Sequence, residues 1–283
     1  MNWMNKCEGG MGQYKICQYD IKEVQKTLLM ILIELDRICR KYSIKYSLEG
    51  GTLLGAIKYK GFVPWDDDID IIMERKEYEK FLKICQTELS KEFFLQNYRT
   101  VRHFPLNYSK IHMRRTLYVQ ESTEHLRIHQ GLFIDIFPVD HIYRPILRLQ
   151  VALIGGLTSA RCVRLNRIYQ KKEVLTRNIM KLLIYHILAL FPLWWINFSI
   201  DLSCKMFNCF PSKYYYEVCN PNRKFKPLHR KIYQDLIEVE FMGLHFLASK
   251  HYRRFLRSRF GDISKLPPIE ERQPSHKIIR CKL

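Results

Sequence analysis

The sequence has few acidic residues for its size and lacks the short motifs that identify a zinc site. Asp and Glu number 28 against 47 Lys and Arg, so the formal net charge is +19. No CxxC or HExxH pattern occurs among the 283 residues, and the nine cysteines are scattered, which leaves a zinc site with little support. The positive charge suits a nucleic acid, a nucleotide or an anionic membrane surface, and does not choose among them.

The chain also lacks a signal-peptide pattern, internal repeats and low-complexity segments. Its first residues, MNWMNKCEGGMGQYK, have no apolar core of the secretory kind, and an odd number of cysteines without such a signal is typical of reduced thiols. We therefore expect a cytoplasmic protein, with peripheral attachment to the inner face of the plasma membrane left open. Apolar residues make up 47% of the chain, which allows a substantial core.

Hydrophobic periodicity predicts an α+β fold. Asp20 is a predicted N-cap, and apolar residues at helical spacing after it predict an amphipathic helix to about Lys41. We expect residues 1–18 to form a loose extension. We expect residues 19–283 to form a single domain that includes a helical, membrane-facing or core-packed insert at about 145–205.

One stretch, residues 48–73, carries most of the chemical information; it reads LEGGTLLGAIKYKGFVPWDDDIDIIM. Aspartates alternate with isoleucines, which predicts a strand at 66–72 with Asp66, Asp68 and Asp70 on one face. Neighbouring carboxylates on that face would lie about 7 Å apart, so they can converge on one or two hard cations. Without a cation they would repel, and at least one pKa would rise. The alternative, a solvated acidic turn, is the weaker interpretation because isoleucines are interleaved.

A glycine pair precedes the aspartates and predicts a phosphate-binding turn. Gly50 and Gly51 follow a short predicted strand, and Thr52 is placed to cap a helix at 53–59. Glycines let the backbone bend and its N–H groups approach an anion, and a helix N-terminus adds a positive dipole end. Mg²⁺ prefers a few carboxylates together with phosphate oxygens. The glycine turn and the aspartates together therefore predict a site that binds both a phosphate and a metal ion.

Two further segments offer partners for this site. Asp135 lies in an apolar run that predicts a buried central strand, where a carboxylate is costly unless it is paired or binds metal. Arg or backbone donors could satisfy it, but we favour a third metal-site carboxylate. Residues 108–114 predict a strand with Lys110, His112 and Arg114 on one face, which could meet phosphates or be a solvated outer face.

Two other polar residues receive structural interpretations. Asp140 follows Pro138 and is predicted to cap a turn. His276, near the C-terminal end, could reach a phosphate, but a solvated tail histidine is the favoured interpretation.

The predicted insert differs from the rest of the chain in its amino-acid composition. Residues 182–200 (LLIYHILALFPLWWINFSI) are almost uncharged, but they are borderline in length for a membrane span and contain Pro192. Adjacent Trp194 and Trp195, with a basic patch at 161–177, suit helices that lie on an anionic bilayer. Helices packed on the rest of the domain are an equally supported alternative, and a true span is disfavoured.

Three segments together resemble the LicD family of phosphotransferases, which is related to the fukutin group within the polymerase-beta-like nucleotidyltransferase superfamily. They are residues 50–56 (GGTLLGA), 61–71 (GFVPWDDDIDI) and 133–138 (FIDIFP). The resemblance implies a nucleotidyltransferase-like mixed sheet flanked by helices, with a divalent ion, Mg²⁺ or Mn²⁺, at the aspartates.

Carried over to this sequence, the resemblance implies roles for individual residues. Asp68 and Asp70 would bind the metal, and Asp135 would complete the site or help to deprotonate the acceptor. The glycine pair would shape the donor phosphate site. The candidate substrate-binding residues are then Gly50, Gly51, Thr52, Lys110 and Arg114.

Members of such a family move a phospho-alcohol, often phosphocholine from CDP-choline, onto a hydroxyl of a cell-surface glycan such as lipopolysaccharide, capsule or teichoic acid. The resemblance therefore implies a CDP-alcohol donor and a glycan or glycolipid acceptor. Two alternatives stay open. One is a nucleotidyltransferase acting on RNA or a small molecule, although the absence of an RNA-binding motif does not favour nucleic acid. The other is a non-catalytic, membrane-associated protein with a vestigial site.

Overall fold

The structure is a computed structural model, and it describes residues 19–169, 179–220, 226–263, 265 and 267–283. The predicted extension at 1–18 and the predicted basic patch beyond residue 169 lie outside the described residues.

The first half of the chain alternates helices with short strands. These elements are α1 (Ile21–Lys41), β1 (Ser47–Leu48), α2 (Gly50–Tyr59), β2 (Asp70–Glu74), α3 (Arg75–Glu88), β3 (Phe93–Gln96), β4 (Ser109–Met113), β5 (Leu117–Gln120) and β6 (Phe133–His141). The insert is helical, as predicted, with α4 (Leu147–Tyr169), α5 (Ile179–Leu188) and α6 (Leu193–Lys205). The remaining elements are β7 (Tyr214–Tyr216), β8 (Leu228–His229), α7 (Lys231–Gln234), β9 (Leu236–Phe241), β10 (Leu244–Ser249), α8 (Tyr252–Phe260) and β11 (Ile278–Lys282).

A mixed sheet forms the centre of the fold, with the strand order β1-β2-β6-β4-β3. Strands β2 and β6 are parallel, whereas β1, β4 and β3 are joined antiparallel to their neighbours. The far end of β6 pairs with β7, and β7 pairs with β8. Strands β9 and β10, and strands β5 and β11, form two small ribbons. The predicted α+β class and mixed sheet are confirmed.

Helices α1 and α3 pack against the sheet. α1 begins at the predicted cap, where the Asp20 carboxylate accepts the Lys22 N–H at 2.8 Å. α3 is tied to β4 by Tyr78, whose hydroxyl lies 2.5 Å from Ser109 Oγ. Because successive side chains of a strand point to opposite faces, Lys110 projects from the face that α3 does not cover.

The acidic stretch is a strand only in part. β2 begins at Asp70, and residues 66–69 form an irregular loop. The Asp66 N–H donates to the Val63 carbonyl at 2.9 Å, and Gln25 Nε2 donates to the Asp66 carbonyl at 2.9 Å. Since these partners take the backbone groups that a strand would pair, the predicted strand from Asp66 is wrong.

Asp140 does not cap a turn, and that prediction is also wrong. It lies inside β6, which continues past Pro138 because β7 pairs with its far end. Its fully buried carboxylate accepts two hydrogen bonds from the Arg75 guanidinium, at 2.8 and 2.7 Å. Asn208 Nδ2 donates to the same carboxylate at 2.5 Å. A carboxylate satisfied in this way is part of the core.

The inner faces of α4 and α6 pack on the sheet domain. Ile154, Ile196 and Ile200 belong to the same buried cluster as Ile71 of β2, so the predicted packing of insert helices on the core is confirmed for these faces. Residues 182–200 are not one straight helix, because α5 and α6 meet at an angle of 111°.

Candidate active site

Three polar side chains form a row across neighbouring strands of the sheet. The register pairs Asp70 of β2 with Asp135 of β6, and Asp135 with Lys110 of β4. Directly paired residues of adjacent strands point to the same face, which here is the face opposite α3. β6 is the buried central strand that the sequence predicts. The structure therefore brings Asp135 beside Asp70, as the metal-site hypothesis requires.

Lys110 reaches Asp135 directly. Its Nζ lies 2.6 Å from Asp135 Oδ1 and 3.3 Å from the centroid of the Phe133 ring. Burial lowers the pKa of the Lys110 ammonium group, and the charges of Asp135 and Asp70 offset this only in part. The alternative of a solvated outer face is wrong for Lys110, which is buried beside the carboxylates and can contact an entering phosphate.

Asp66 and Asp68 approach the row from the loop before β2. Burial, with the adjacent Asp68 charge, raises the pKa of Asp66 to about 9. Burial also raises the pKa of Asp68 and of Asp70, and the neighbouring carboxylates add to the effect. Asp66 Oδ2 is buried without a hydrogen-bond partner in the described part of the chain. Carboxylates gathered in this way hold protons unless a cation replaces them, so the donor set fits a hard divalent cation.

The most compact group of candidate metal ligands differs from the predicted one. Asp68, Asp70 and Asp135 act on one another electrostatically. Within the described ranges, however, the ligand atoms that all lie within 4.8 Å of one another belong to Asp67, Asp68 and His276. Asp68 is common to both sets.

The C-terminal tail covers Asp67. His276 Nδ1 lies 3.4 Å from Asp67 Oδ1 and 3.8 Å from Asp68 Oδ2. The Ser275 N–H and the Tyr118 hydroxyl donate to Asp67 at 2.8 and 2.7 Å. Burial alone would raise the pKa of Asp67, but His276 and these donors outweigh it and lower the pKa. The prediction that His276 is solvated is wrong, because β11 pairs with β5 and brings the tail to the acidic loop.

The N-terminus of α2 lies against the carboxylates. The helix begins at Gly50, earlier than predicted, and Gly50 has φ +52°. A methyl group at Gly50 would lie 3.0 Å from Asp70 Oδ2, and one at Gly51 would overlap Asp66 Oδ2. Only glycine tolerates both the left-handed backbone and this approach. The positive end of the helix dipole therefore faces the place where an anionic group would meet the acidic cluster.

Thr52 is not the helix cap, and that prediction is wrong. The N-cap position is occupied by Glu49, whose N–H donates to the Asp70 carbonyl at 3.0 Å. Thr52 is 1% exposed, and its Oγ1 accepts the Asp70 N–H at 2.9 Å. These two bonds fix Asp70 against α2. A direct contact of Thr52 with substrate stays a prediction.

The sequence does not indicate that Arg259 of α8 supports the site. Its guanidinium lies 2.5 Å from Glu49 Oε1 and also contacts Glu217. Burial raises the pKa of Glu49 even though the Arg259 charge opposes this. The ion pair anchors the N-cap residue of α2 from a helix 210 residues later, a separation at which no local pattern can indicate a contact.

Arg114 lies away from the cluster. It follows the end of β4, about 13 Å along the strand direction from Lys110. Its Nε donates to the Phe93 carbonyl at 2.9 Å, and its guanidinium lies over the Phe94 ring. The structure thus brings together the aspartates, the glycine pair and Lys110, but not Arg114, whose predicted contact with substrate has no support in this geometry.

The fold and the site together define a class. A mixed sheet that presents aspartates from a parallel strand pair beside a glycine-opened helix is the arrangement that the resemblance implies for a nucleotidyltransferase-like domain. A family model described as "LicD/FKTN/FKRP, nucleotidyltransferase domain" matches residues 43–148, which include the glycine turn, the acidic stretch, Lys110 and Asp135. Over these residues the chain is similar to the LicD family.

Similarity to one relative extends over nearly the whole chain. The lipopolysaccharide cholinephosphotransferase LicD of Haemophilus influenzae is 28% identical over 270 residues, which cover 90% of this chain and 96% of the relative. An uncharacterized protein of Rickettsia typhi is 38% identical over 65 residues, 22% of this chain and 21% of its own. Another, of Rickettsia prowazekii, is 42% identical over 52 residues, 18% of this chain and 20% of its own.

A glycine substitution tests the close approach of helix and carboxylates. We expect Gly51→Ala to lower the rate of transfer by about 100-fold, because the new methyl group displaces Asp66 and with it the loop. Gly155→Ala in α4 is the matched control, since nothing lies within 4 Å of its added methyl; it should keep full activity and gain about 0.5–1 kcal/mol of stability. Measurements of the transfer rate and of thermal unfolding test both variants. An unchanged transfer rate in Gly51→Ala would contradict the close approach of Gly51 to Asp66.

Proposed function

We propose that the protein transfers a phospho-alcohol from a CDP-alcohol to a hydroxyl of a cell-surface glycan, with the help of a divalent cation. Phosphocholine is the first candidate for the transferred group. The observation that carries the proposal is the row of Asp70, Asp135 and Lys110 beside the α2 N-terminus. The activity for which the Haemophilus influenzae relative is named supports both the choline phosphate group and a lipopolysaccharide-type acceptor.

Asp68, Asp70 and Asp135 are the residues that we propose to hold the cation, Mg²⁺ or Mn²⁺, with Asp66 as a supporting carboxylate. A cation bound there would neutralise the donor diphosphate and stabilise the departing CMP. The raised pKa values of Asp66, Asp68 and Asp70 support this assignment, since they reflect the burial of carboxylates that lie close to one another.

The side chains and backbone of the site supply the remaining parts of the reaction. The α2 N-terminus at Gly50 and Gly51 would receive the diphosphate, and Lys110 would contact its oxygens from the opposite side of the row. Asp135 would accept the proton of the acceptor hydroxyl. The hydroxyl oxygen then forms a bond to the phosphorus that carries the alcohol, the bond from this phosphorus to the CMP oxygen breaks, and CMP leaves.

The acceptor and the place of reaction follow from the same proposal. A glycan built in the cytoplasm on a lipid carrier would present its hydroxyl at the inner face of the plasma membrane. The excess of basic side chains suits such an anionic surface. We therefore propose that the protein acts in the cytoplasm on a glycan or glycolipid.

The test is the release of CMP from CDP-choline in the presence of a lipopolysaccharide acceptor, followed by chromatography, with mass spectrometry of the acceptor. We expect CMP and a phosphocholine-bearing acceptor with Mg²⁺ or Mn²⁺, and neither product in EDTA. Undiminished turnover in EDTA would contradict the role of the cation. Release of pyrophosphate from CTP, with a nucleotide on the acceptor, would favour the nucleotidyltransferase alternative instead.

A further inference from the structure

Helix α5 is built almost entirely from apolar residues, yet none of them is buried. Ile179 is 78% exposed and Leu183 is 56% exposed. An amphipathic surface helix turns a polar face to water, and Lys181 is the one charged residue in this helix. Apolar surface of this extent on a soluble domain marks a site of interaction.

Helix α6 continues the same surface. Its inner face is buried through Ile196 and Ile200. Its outer face carries Trp194, Phe198 and Leu202, which are 70%, 58% and 57% exposed and four residues apart. The helix is therefore apolar on both sides, and packing on the core explains only one of them. We call the exposed residues of both helices and their connection the α5–α6 surface: Ile179, Met180, Leu183, Ile184, Ile187, Leu190, Phe191, Trp194, Phe198 and Leu202.

The charge composition of this part of the chain favours one kind of partner. Residues 143–213 contain eleven Lys and Arg residues but only two acidic ones, Glu173 and Asp201. Asp201 is paired with Lys205 at 2.6 Å, and no other acidic side chain of this region is in the described part. Two copies of so basic a region would repel each other. Anionic lipid headgroups attract it.

The lengths of the helices decide how they meet a bilayer. α5 has 10 residues and α6 has 13, so they are about 15 and 20 Å long, short of the roughly 30 Å hydrocarbon core. They also meet at 111°, so neither extends the other across the membrane. Their geometry suits helices that lie at the interface, where tryptophan is favoured.

The neighbouring helix α4 does not provide the span either. The segment Arg144–Asn166, which contains most of α4, has the length and apolar character of a spanning helix, but a third of its most apolar stretch is buried inside the protein. Arg161, within that segment, is 1% exposed and donates to Asn197 Oδ1 of α6 at 3.2 Å. α4 is thus packed on α6 and supports the surface from behind.

We propose that the α5–α6 surface docks on an anionic bilayer, with its apolar side chains inserted at the boundary between headgroups and acyl chains. Docking requires neither CDP-choline nor a cation at the aspartates, so it stands or falls independently of the proposed function. If transfer uses a lipid-linked acceptor, docking would hold the enzyme at the layer where that acceptor lies.

Co-sedimentation with lipid vesicles tests the proposal on the full chain. We expect the protein to pellet with vesicles of phosphatidylcholine and phosphatidylglycerol, and to stay in solution with phosphatidylcholine alone. Ile187→Gln with Trp194→Gln should weaken binding to the mixed vesicles by about tenfold or more. The matched control is Leu244→Gln with Ile269→Gln, which makes the same kind of change at apolar residues that are exposed elsewhere; it should bind like the unchanged protein.

Several results would overturn the proposal. They are failure of the unchanged protein to pellet with the mixed vesicles, equal binding to both vesicle types, and unchanged binding of the Ile187 and Trp194 variant. A dimer in light scattering that becomes a monomer in that variant, without vesicle binding, would assign the surface to a second copy. CMP release with a soluble acceptor should be the same in both variants, which confirms that they are folded.

Discussion

Asp70→Asn is expected to lower phosphocholine transfer by about a thousandfold or more. Asp70 lies between the other acidic groups of the site, and its pKa is raised well above the ordinary value by burial and then by Asp68 and Asp135. The amide keeps the size of the side chain and the bond from its backbone N–H to Thr52. Because the substitution removes one charge from a crowded group, the melting temperature in EDTA should not fall.

A carboxylate outside the site gives the matched control. Asp235 is partly exposed and pairs with His251 at 2.9 Å, so Asp235→Asn should leave CMP release unchanged. The melting temperature of the unchanged protein should rise with Mg²⁺, because a ligand that binds only the folded state stabilises it. The melting temperature of Asp70→Asn should not rise with Mg²⁺. Transfer by Asp70→Asn at the normal rate would remove Asp70 from the catalytic group.

Asp140→Ala is expected to reduce the free energy of unfolding by about 3–5 kcal/mol. The substitution leaves the Arg75 guanidinium in the core without the two short hydrogen bonds that it donates to the carboxylate. It also removes the acceptor of Asn208. Urea unfolding measures the change, as a lower midpoint with an unchanged slope.

An exposed ion pair is the control for this stability effect. Lys277 and Glu121 lie 2.9 Å apart, with side chains that are 56% and 39% exposed. Lys277→Ala should change the free energy of unfolding by less than about 1 kcal/mol, since solvent screens such pairs. If Asp140→Ala cost no more than Lys277→Ala, the buried pair would not hold β6 to α3.

Local patterns in the sequence were sufficient for much of the fold. The spacing of apolar residues gave α1 and α3, and the apolar run around Asp135 gave the central strand, because both depend on neighbours along the chain. The pairing of Asp135 with Asp70 needed more than a pattern. It rested on the cost of burying a carboxylate without a partner.

Contacts between distant segments were beyond the reach of the sequence. Residues 66–69 do not belong to the strand, because the side chain of Gln25 in α1 donates a hydrogen bond to the Asp66 carbonyl. His276 reaches the acidic loop only because β11 pairs with β5. The sequence shows each of these side chains, but the partner of each is set by the path of the whole chain.

The insert helices combine a buried face with an exposed apolar face. The sequence left core packing and membrane contact as rivals for residues 182–200. In α6 the side chain of Ile196 is buried, whereas Trp194, two positions earlier, is 70% exposed. A helix can serve the core on one side and an interface on the other, which hydropathy averaged over the segment does not resolve.

Titration with Mn²⁺, with the free ion followed by electron paramagnetic resonance, tests whether the aspartates of the acidic loop and the sheet bind one cation together. The proposed site predicts saturable binding to the unchanged protein and to Asp235→Asn, and loss of that binding in both Asp70→Asn and Asp135→Asn. Binding of equal strength in all four proteins, or no binding to the unchanged protein with CDP-choline present, would contradict it.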